Sequence, residues 1–262
     1  MIDDYLALLG VRRVAPSVAH LFELHRAHVE RVPYSNAQIM RGKPASIQQR
    51  DAVRQILDGH GGYCFHLNGA FSWLLRELGF AITLHRGYVF RHGATDADLN
   101  HLVLLAHDLD GTVWFVDAGL GDALHEPLPL APGHYRQGPF VYSLESTGSR
   151  WRFTHDERGS FAAMEFEPAA AVIDDFAEAH KFLSTSPESS FTRFLTAQIR
   201  LPDRVRLVRG CTRVELDAAG KHEETLASQV EWADAYARLG LSNVDDLWEH
   251  TRAAHERWLA SL

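Results

Sequence analysis

A chain of 262 residues, 46% hydrophobic and 23% charged, has the size and apolar content for one large domain or two to three modest ones packed as a single body. No run of about 18 apolar residues exists, which excludes a membrane-spanning helix, and the formal net charge of -8 argues against nucleic acid as a partner. Two cysteines, Cys64 and Cys211, are too few for a disulfide framework, and the acidic start MIDDYLALLGV does not read as a secretion signal. The expected setting is reducing and cytoplasmic.

Apolar spacing predicts helices over 3–9 and 17–32, the second opened by Pro16-Ser17 and stopped by Pro33. Three histidines, His20, His25 and His28, lie in that helix, and with no carboxylate in a metal pattern around them they read as a solvated face; no metal is expected. A turn-rich stretch, RVPYSNAQIMRGKPAS, precedes a helix from about Ile47 to Leu57, broken by Gly59, Gly61 and Gly62. Helical periodicity resumes from Phe65 to Leu78, with Gly79 as its stop.

From residue 80 the pattern turns to short β-rich runs: AITLHRGYVF, HLVLLAHDL, TVWFVDAG, FVYSLES and RWRFTHD. Strands 101–109 and 112–117 form an expected hairpin through Asp110-Gly111, within a small antiparallel barrel or twisted sheet. Beyond 170 the chain reads as a helix near FTRFLTAQIR, strand-like VRLVRGCTRVEL, and a final helical stretch from Glu223. The parts divide as 1–85, 86–185 and 186–262, with no Pro/Gly/Ser-rich linker between them.

The segment GHGGYCFHLN sets Cys64 at a helix start. A thiolate is the nucleophile in acyl transfer, and unpaired amides at a helix N-terminus favour an anion. Gly61 and Gly62 are expected to let a thioester carbonyl approach backbone donors. A cysteine nucleophile needs a base and a group to orient that base. His101 opens one strand of the hairpin and Asp117 closes the other, so pairing brings them to the same open end of the ladder. Cys211, alternating within a strand and with no base or glycine turn nearby, reads as packing.

GGYCFHLNGAFSWLLRELGF, NHLVLLAHDLDGTVWFVDAGLGD and KFLSTSPESSF resemble motifs of the arylamine N-acetyltransferase family. Those motifs are an Arg-Gly-Gly-aromatic-Cys segment, a strand beginning with His, a Val-Asp-Val-Gly-Phe-Gly segment and an STSPxSxF stretch. RVPYSN and YARLGLS resemble two further family segments, so the likeness runs in order along nearly the whole chain. It implies an α+β fold with a cysteine-proteinase-like core: N-terminal helical bundle, central antiparallel β-barrel and C-terminal α/β lid. It also implies a triad of Cys64 as nucleophile, His101 as base and Asp117 as orienter. Acetyl-CoA or another acyl-CoA would be a donor substrate, with no bound cofactor, and a small arylamine or hydrazine the acceptor. Tyr34, Tyr63, Phe65, Leu120 and Phe191 would contact that acceptor.

The family's Arg before Gly-Gly is His60 here, its Phe-Glu-Asn is Tyr34-Ser35-Asn36, and its Glu-Gln after Cys-Phe is His66-Leu67. The Arg and Glu are thus lost together while the triad survives, and His66 is expected to hydrogen-bond behind the site. Leu120 replaces an aromatic, which reshapes the acceptor pocket. An amide synthase or acyltransferase of natural-product biosynthesis and an inactive binding module are the alternative readings. Coenzyme A leaves no motif; the barrel–lid cleft is its expected place, and Arg200, Arg204, Arg206 and Arg209 read as solvated cations before phosphate ligands.

Overall fold

The computed structural model describes residues 1–260; residues 261 and 262, the end of the expected lid, lie outside it. The N-terminal part holds α1 (Ile2–Leu9), α2 (Val18–Arg31), a short β1 (Tyr34–Ser35), α3 (Ala37–Met40), α4 (Gln49–Leu57) and α5 (Cys64–Glu77). Ser17 caps α2 by accepting from the His20 amide, and Gly10 ends α1 in a left-handed conformation, φ 63°. The apolar stripes of these helices meet in one core around Tyr5, Leu21, Leu24, Val53, Phe71 and Leu74.

The middle part is an eight-stranded antiparallel sheet formed by β2 (Ala81–Phe90), β3 (His101–Leu109), β4 (Thr112–Val116), β5 (Leu128–Pro129), β6 (Gly133–Gln137), β7 (Phe140–Ser146), β8 (Trp151–Thr154) and β9 (Ala163–Ala171). Its order is β5-β4-β3-β2-β9-β8-β7-β6. In that order β4 and β8 are four strands apart, about 19 Å in a flat sheet. Their rings Phe115 and Phe153 nevertheless sit 5.7 Å apart, so the sheet is rolled around its own core in the manner of a barrel. The turn between β3 and β4 has Asp110 and Gly111 both at positive φ, 52° and 71°, the backbone that twists a two-residue hairpin correctly.

The apolar run of β3 is explained by burial on both faces. Leu102, Leu104 and Ala106 enter the helical core, whereas Val103 and Leu105 enter the barrel core. This strand is the seam between the two parts, with α5 packed along it.

After α6 (Ala177–Thr185), a second antiparallel sheet combines β1 with β10 (Thr196–Arg200), β11 (Val205–Arg209), β12 (Thr212–Asp217) and β13 (Gly220–Thr225), in the order β1-β10-β11-β12-β13. Its core, with Leu195, Ala197, Val208, Trp232, Tyr236 and Trp248, is closed by α7 (Gln229–Ala237) and α8 (Trp248–Leu259). Among the described residues no helix is long and apolar enough to cross a membrane.

Several sequence expectations are corrected. FTRFLTAQIR is a short 3-10 turn at Ser190–Thr192 followed by strand β10, because Leu195, Ala197 and Ile199 all face the core at period two. The helical stretch expected from Glu223 begins at Gln229, since residues 220–225 pair with β12. VRLVRGCTRVEL is a hairpin, and Cys211 sits in its turn after Gly210 at φ 59°, buried against Leu226 and Trp232 in one core. His20, His25 and His28 are not solvated. All three are buried, with His28 hydrogen-bonded to the Tyr5 hydroxyl at 2.8 Å and His25 Nδ1 to the His125 carbonyl at 3.0 Å. Arg200 is fully enclosed, stacked 4.2 Å over Phe140 and donating to the carbonyls of Ala123, Gln137 and Leu201.

Candidate active site

Cys64 is the first residue of α5, whose cap residue Tyr63 supplies no side-chain hydrogen bond. The sulfur therefore occupies the positive end of a helix that no side chain has capped. Its thiol donates to the Asn100 carbonyl at 3.4 Å, and Asn100 is held rigid because its own amide bonds both the N–H and the carbonyl of Val89.

His101 opens β3 opposite Gly87, where a Cβ would come within 3.1 Å of the histidine's own Cβ. Its Nε2 lies 2.7 Å from Asp117 Oδ2, and the two side chains are 2% and 0% exposed, so the pair is desolvated. The other carboxylate oxygen accepts from Asn68 Nδ2 at 2.7 Å and from the Gly119 amide at 2.9 Å. Burial by itself would strip the proton from His101. The Asp117 charge and hydrogen bond, followed by those of Cys64, outweigh it and push the imidazole up to about 10. His101 and Asp117 thus form one buried pair at the open end of a hairpin, and Cys64, at the start of α5, is among the groups that hold the proton on the imidazole.

Asn68 is the residue that sequence reasoning missed. One helical turn beyond Cys64, it donates to Asp117 and to the Leu102 carbonyl at 2.5 Å while its oxygen accepts from the Ala118 amide at 2.9 Å. The available signal was an amide at i+4 from the cysteine, on a helix whose first three turns are buried, where it must find partners. Gly119 is fixed by the same arrangement, since a Cβ there would come within 2.8 Å of the Asn68 amide and 3.0 Å of the Cys64 Cα.

The glycines before Cys64 serve the packing of the chain itself. A Cβ on Gly61 would strike the Pro33 carbonyl and one on Gly62 the His66 side chain. Their absence lets Gly62 bridge to Tyr34, bringing β1 against the start of α5. His66 points away from the sulfur, with Nε2 on the Ala45 carbonyl at 3.0 Å, and burial lowers it to about 4.

Of the expected acceptor contacts, Tyr34 and Phe191 are partly exposed beside this centre. Tyr63 is enclosed behind them, 5.1 Å from Phe191 by ring centroids, its hydroxyl 2.5 Å from His180 Nδ1. Phe65 turns into the helical core, 5.5 Å from Phe176, because one helical step carries it about 100° around from Cys64. Leu120 is buried in the barrel core. No cluster of three or more His, Cys, Asp or Glu residues suited to a metal occurs among the described residues. A cavity of about 390 Å³ between the barrel and the C-terminal sheet is lined in part by Asp122, Ser160, Phe194 and Arg209.

Comparison with known proteins identifies the family. Residues 17–239 fit the family model described as N-acetyltransferase. The chain is 31% identical over 202 residues to the arylamine N-acetyltransferase / N-hydroxyarylamine O-acetyltransferase of Salmonella typhimurium, covering 73% of this chain and 70% of that protein. The Nocardia farcinica arylamine N-acetyltransferase structure superposes with a TM-score of 0.85 at 26% identity, over 94% of this chain and 92% of that one. A Mycobacterium marinum arylamine N-acetyltransferase, solved in complex with CoA, gives a TM-score of 0.87 at 24% identity over 98% and 99%, a likeness of fold. With the match running through most of its length, the chain belongs to the arylamine N-acetyltransferase family.

Proposed function

We propose that this enzyme moves an acetyl group from acetyl-CoA to an arylamine or hydrazine through a thioester on Cys64. The observation that carries the reading is the desolvated His101–Asp117 pair at 2.7 Å, with Cys64 at the uncapped start of α5 contributing to the charge on the imidazole. The Cys64 sulfur attacks the thioester carbonyl, and the tetrahedral adduct expels the CoA sulfur, which takes a proton from His101. The acceptor amine then attacks the acetyl-Cys64 carbonyl, gives its proton to His101, and releases the amide as the Cys64 thiolate departs. Asp117 holds the imidazole in one orientation and stabilises its charged form throughout.

The CoA complex of the Mycobacterium marinum relative supports this donor. For its phosphates we favour the cavity beside Arg209, a guanidinium with no carboxylate partner among the described residues, 5.6 Å from the Phe194 ring centroid. Two buried free cysteines suit a reducing compartment such as the cytoplasm. The test is intact mass spectrometry after brief exposure to acetyl-CoA with no amine present, alongside Cys64→Ala. One added acetyl group on the wild type alone is expected. Acetylation only from a carrier-bound donor would move the assignment to an amide synthase, and no acylation from any donor would leave an inactive module.

A further inference from the structure

The residues that flank Cys64 in the chain, Tyr63, Phe65 and His66, all meet one segment from elsewhere in the sequence. By ring centroids Phe65 lies 5.5 Å from Phe176 and His66 lies 5.5 Å from His180. Tyr63 meets the same segment twice, 5.9 Å from His180 and 5.1 Å from Phe191. The segment runs from a 3-10 turn at Ile173–Phe176 through α6 to Phe191, and Ile173, Ala179 and Leu183 pack with it on the core that contains Cys64. Beneath it Cys64 is 4% exposed and Tyr63 0%, while Glu178, Lys181, Phe182 and Thr185 of α6 face solvent. It forms a cover one helix thick over the start of α5.

The cover is anchored at both ends. Phe176 is buried at its start, and at its finish the Asn36 amide donates to the carbonyls of Phe191 and Phe194 at 2.7 and 2.8 Å. Between these anchors one side-chain hydrogen bond ties α6 to α5 and its cap among the described residues, joining the Tyr63 hydroxyl to His180 Nδ1 at 2.5 Å. Burial raises the Tyr63 phenol well above its ordinary range, and the charges of Cys64 and Tyr34 add to the effect, so the hydroxyl keeps its hydrogen and donates. Nδ1 is therefore the acceptor, and the imidazole hydrogen sits on Nε2. The Ala45 carbonyl, bonded by His66 Nε2 at 3.0 Å, also attracts the imidazole of His180, which suits that tautomer.

We propose that His180 is a positioning residue, its Nδ1 latching α6 to the Tyr63 hydroxyl and so shielding the acetyl-Cys64 thioester from water. Shielding matters because His101 serves water as readily as an amine. Water that reaches the thioester attacks its carbonyl, gives a proton to His101, and releases acetic acid as the Cys64 thiolate departs. The inference rests on the reading of Cys64 as the acetyl carrier.

The test follows the decay of acetyl-Cys64 by intact mass spectrometry, after excess acetyl-CoA is removed and with no amine present. Tyr63→Phe and His180→Leu should each shorten the lifetime about 3–10-fold, the size of one neutral hydrogen bond. The double variant should decay no faster than either single one, because both remove the same bond. His180→Asn should keep nearly the wild-type lifetime, since its side-chain oxygen stands at the same distance along the side chain as Nδ1 and accepts in its place. An unchanged lifetime in Tyr63→Phe, additive losses in the double variant, or His180→Asn decaying like His180→Leu overturns the proposal. A second arm needs no donor: amide hydrogen exchange of the same unacetylated variants. Protection of α6 relative to α5 should fall in Tyr63→Phe and His180→Leu and hold in His180→Asn, and unchanged protection in the first two overturns the latch. Failure of acetyl-CoA to label Cys64 would instead sink the proposed function, with the exchange arm still deciding whether His180 holds α6.

Discussion

His101 with Asp117 and His155 with Asp122 are both imidazole–carboxylate pairs buried in or beside the barrel, at 2.7 Å and 3.3 Å. Their surroundings separate them. The first meets a helix that begins with a cysteine, and its carboxylate is aligned by Asn68 and Gly119. The second is boxed in by Phe161, 4.4 Å from the His155 ring centroid, and by the Gly159 backbone, so close that a Cβ would strike the ring. Its carboxylate is spent on Ser160, at 2.7 and 2.8 Å. Burial would raise Asp122, but His155 and the Ser160 hydrogen bonds outweigh it and leave the carboxyl below its ordinary range, a fixed charge that ties two loops together. Two pairs of the same chemistry thus differ because only one has Cys64 among its neighbours.

The largest separation should come from Asp117→Asn, which keeps the shape but removes the charge and favours the wrong imidazole tautomer. Single-turnover acetylation of Cys64 should fall about 10³–10⁴-fold, by the precedent of serine-protease triads. Asn68→Ala should cost about 100-fold in the same assay, the scale of a small misplacement of reacting groups. It should also lower stability by about 1–3 kcal/mol, because partners of a buried amide are left unsatisfied, which a denaturant titration would read.

A smaller, graded effect concerns histidines that lie outside both pairs. Burial lowers His25 and His66 to about 4 and His28 to about 3. Below pH 6.5 the unfolded chain protonates these imidazoles while the folded chain does not, so the unfolded state holds more protons and stability falls as pH drops towards 4. Each such histidine steepens the loss by up to about 1.4 kcal/mol per pH unit. His101 carries the opposite sign: raised to about 10, it contributes stability that is complete below pH 6.5 and lost as pH rises through 10. Urea midpoints measured from pH 7 to pH 4 should fall, and replacing His28 by Gln should flatten the slope.

What could be read from the chain was what local pattern encodes. The Asp110-Gly111 turn and the alternation around it delivered His101 and Asp117 to one end of a hairpin, and the helical spacing after Gly62 delivered Cys64 to a helix start. What could not be read depended on tertiary neighbours. FTRFLTAQIR has apolar residues at 191, 194, 195, 197 and 199, of which 191, 194 and 195 fit a helix and 195, 197 and 199 a strand, and only pairing with β1 and β11 decides between them. The imidazoles at 20, 25 and 28 look like a polar stripe, yet α2 is enclosed on that side by Tyr5, Phe71 and the His125 loop. Gly61 and Gly62 were legible as a close approach, but Pro33 and His66, the groups approached, are set by the fold.

The most direct measurement is quench-flow mass spectrometry of Cys64 acetylation by acetyl-CoA in His101→Gln and His155→Leu, side by side with the wild type. Loss of about 10³-fold or more is expected for His101→Gln, while His155→Leu should melt earlier yet acetylate within a few-fold of the wild type. Equal rates in the two variants would contradict the assignment of Cys64, His101 and Asp117 as the relay.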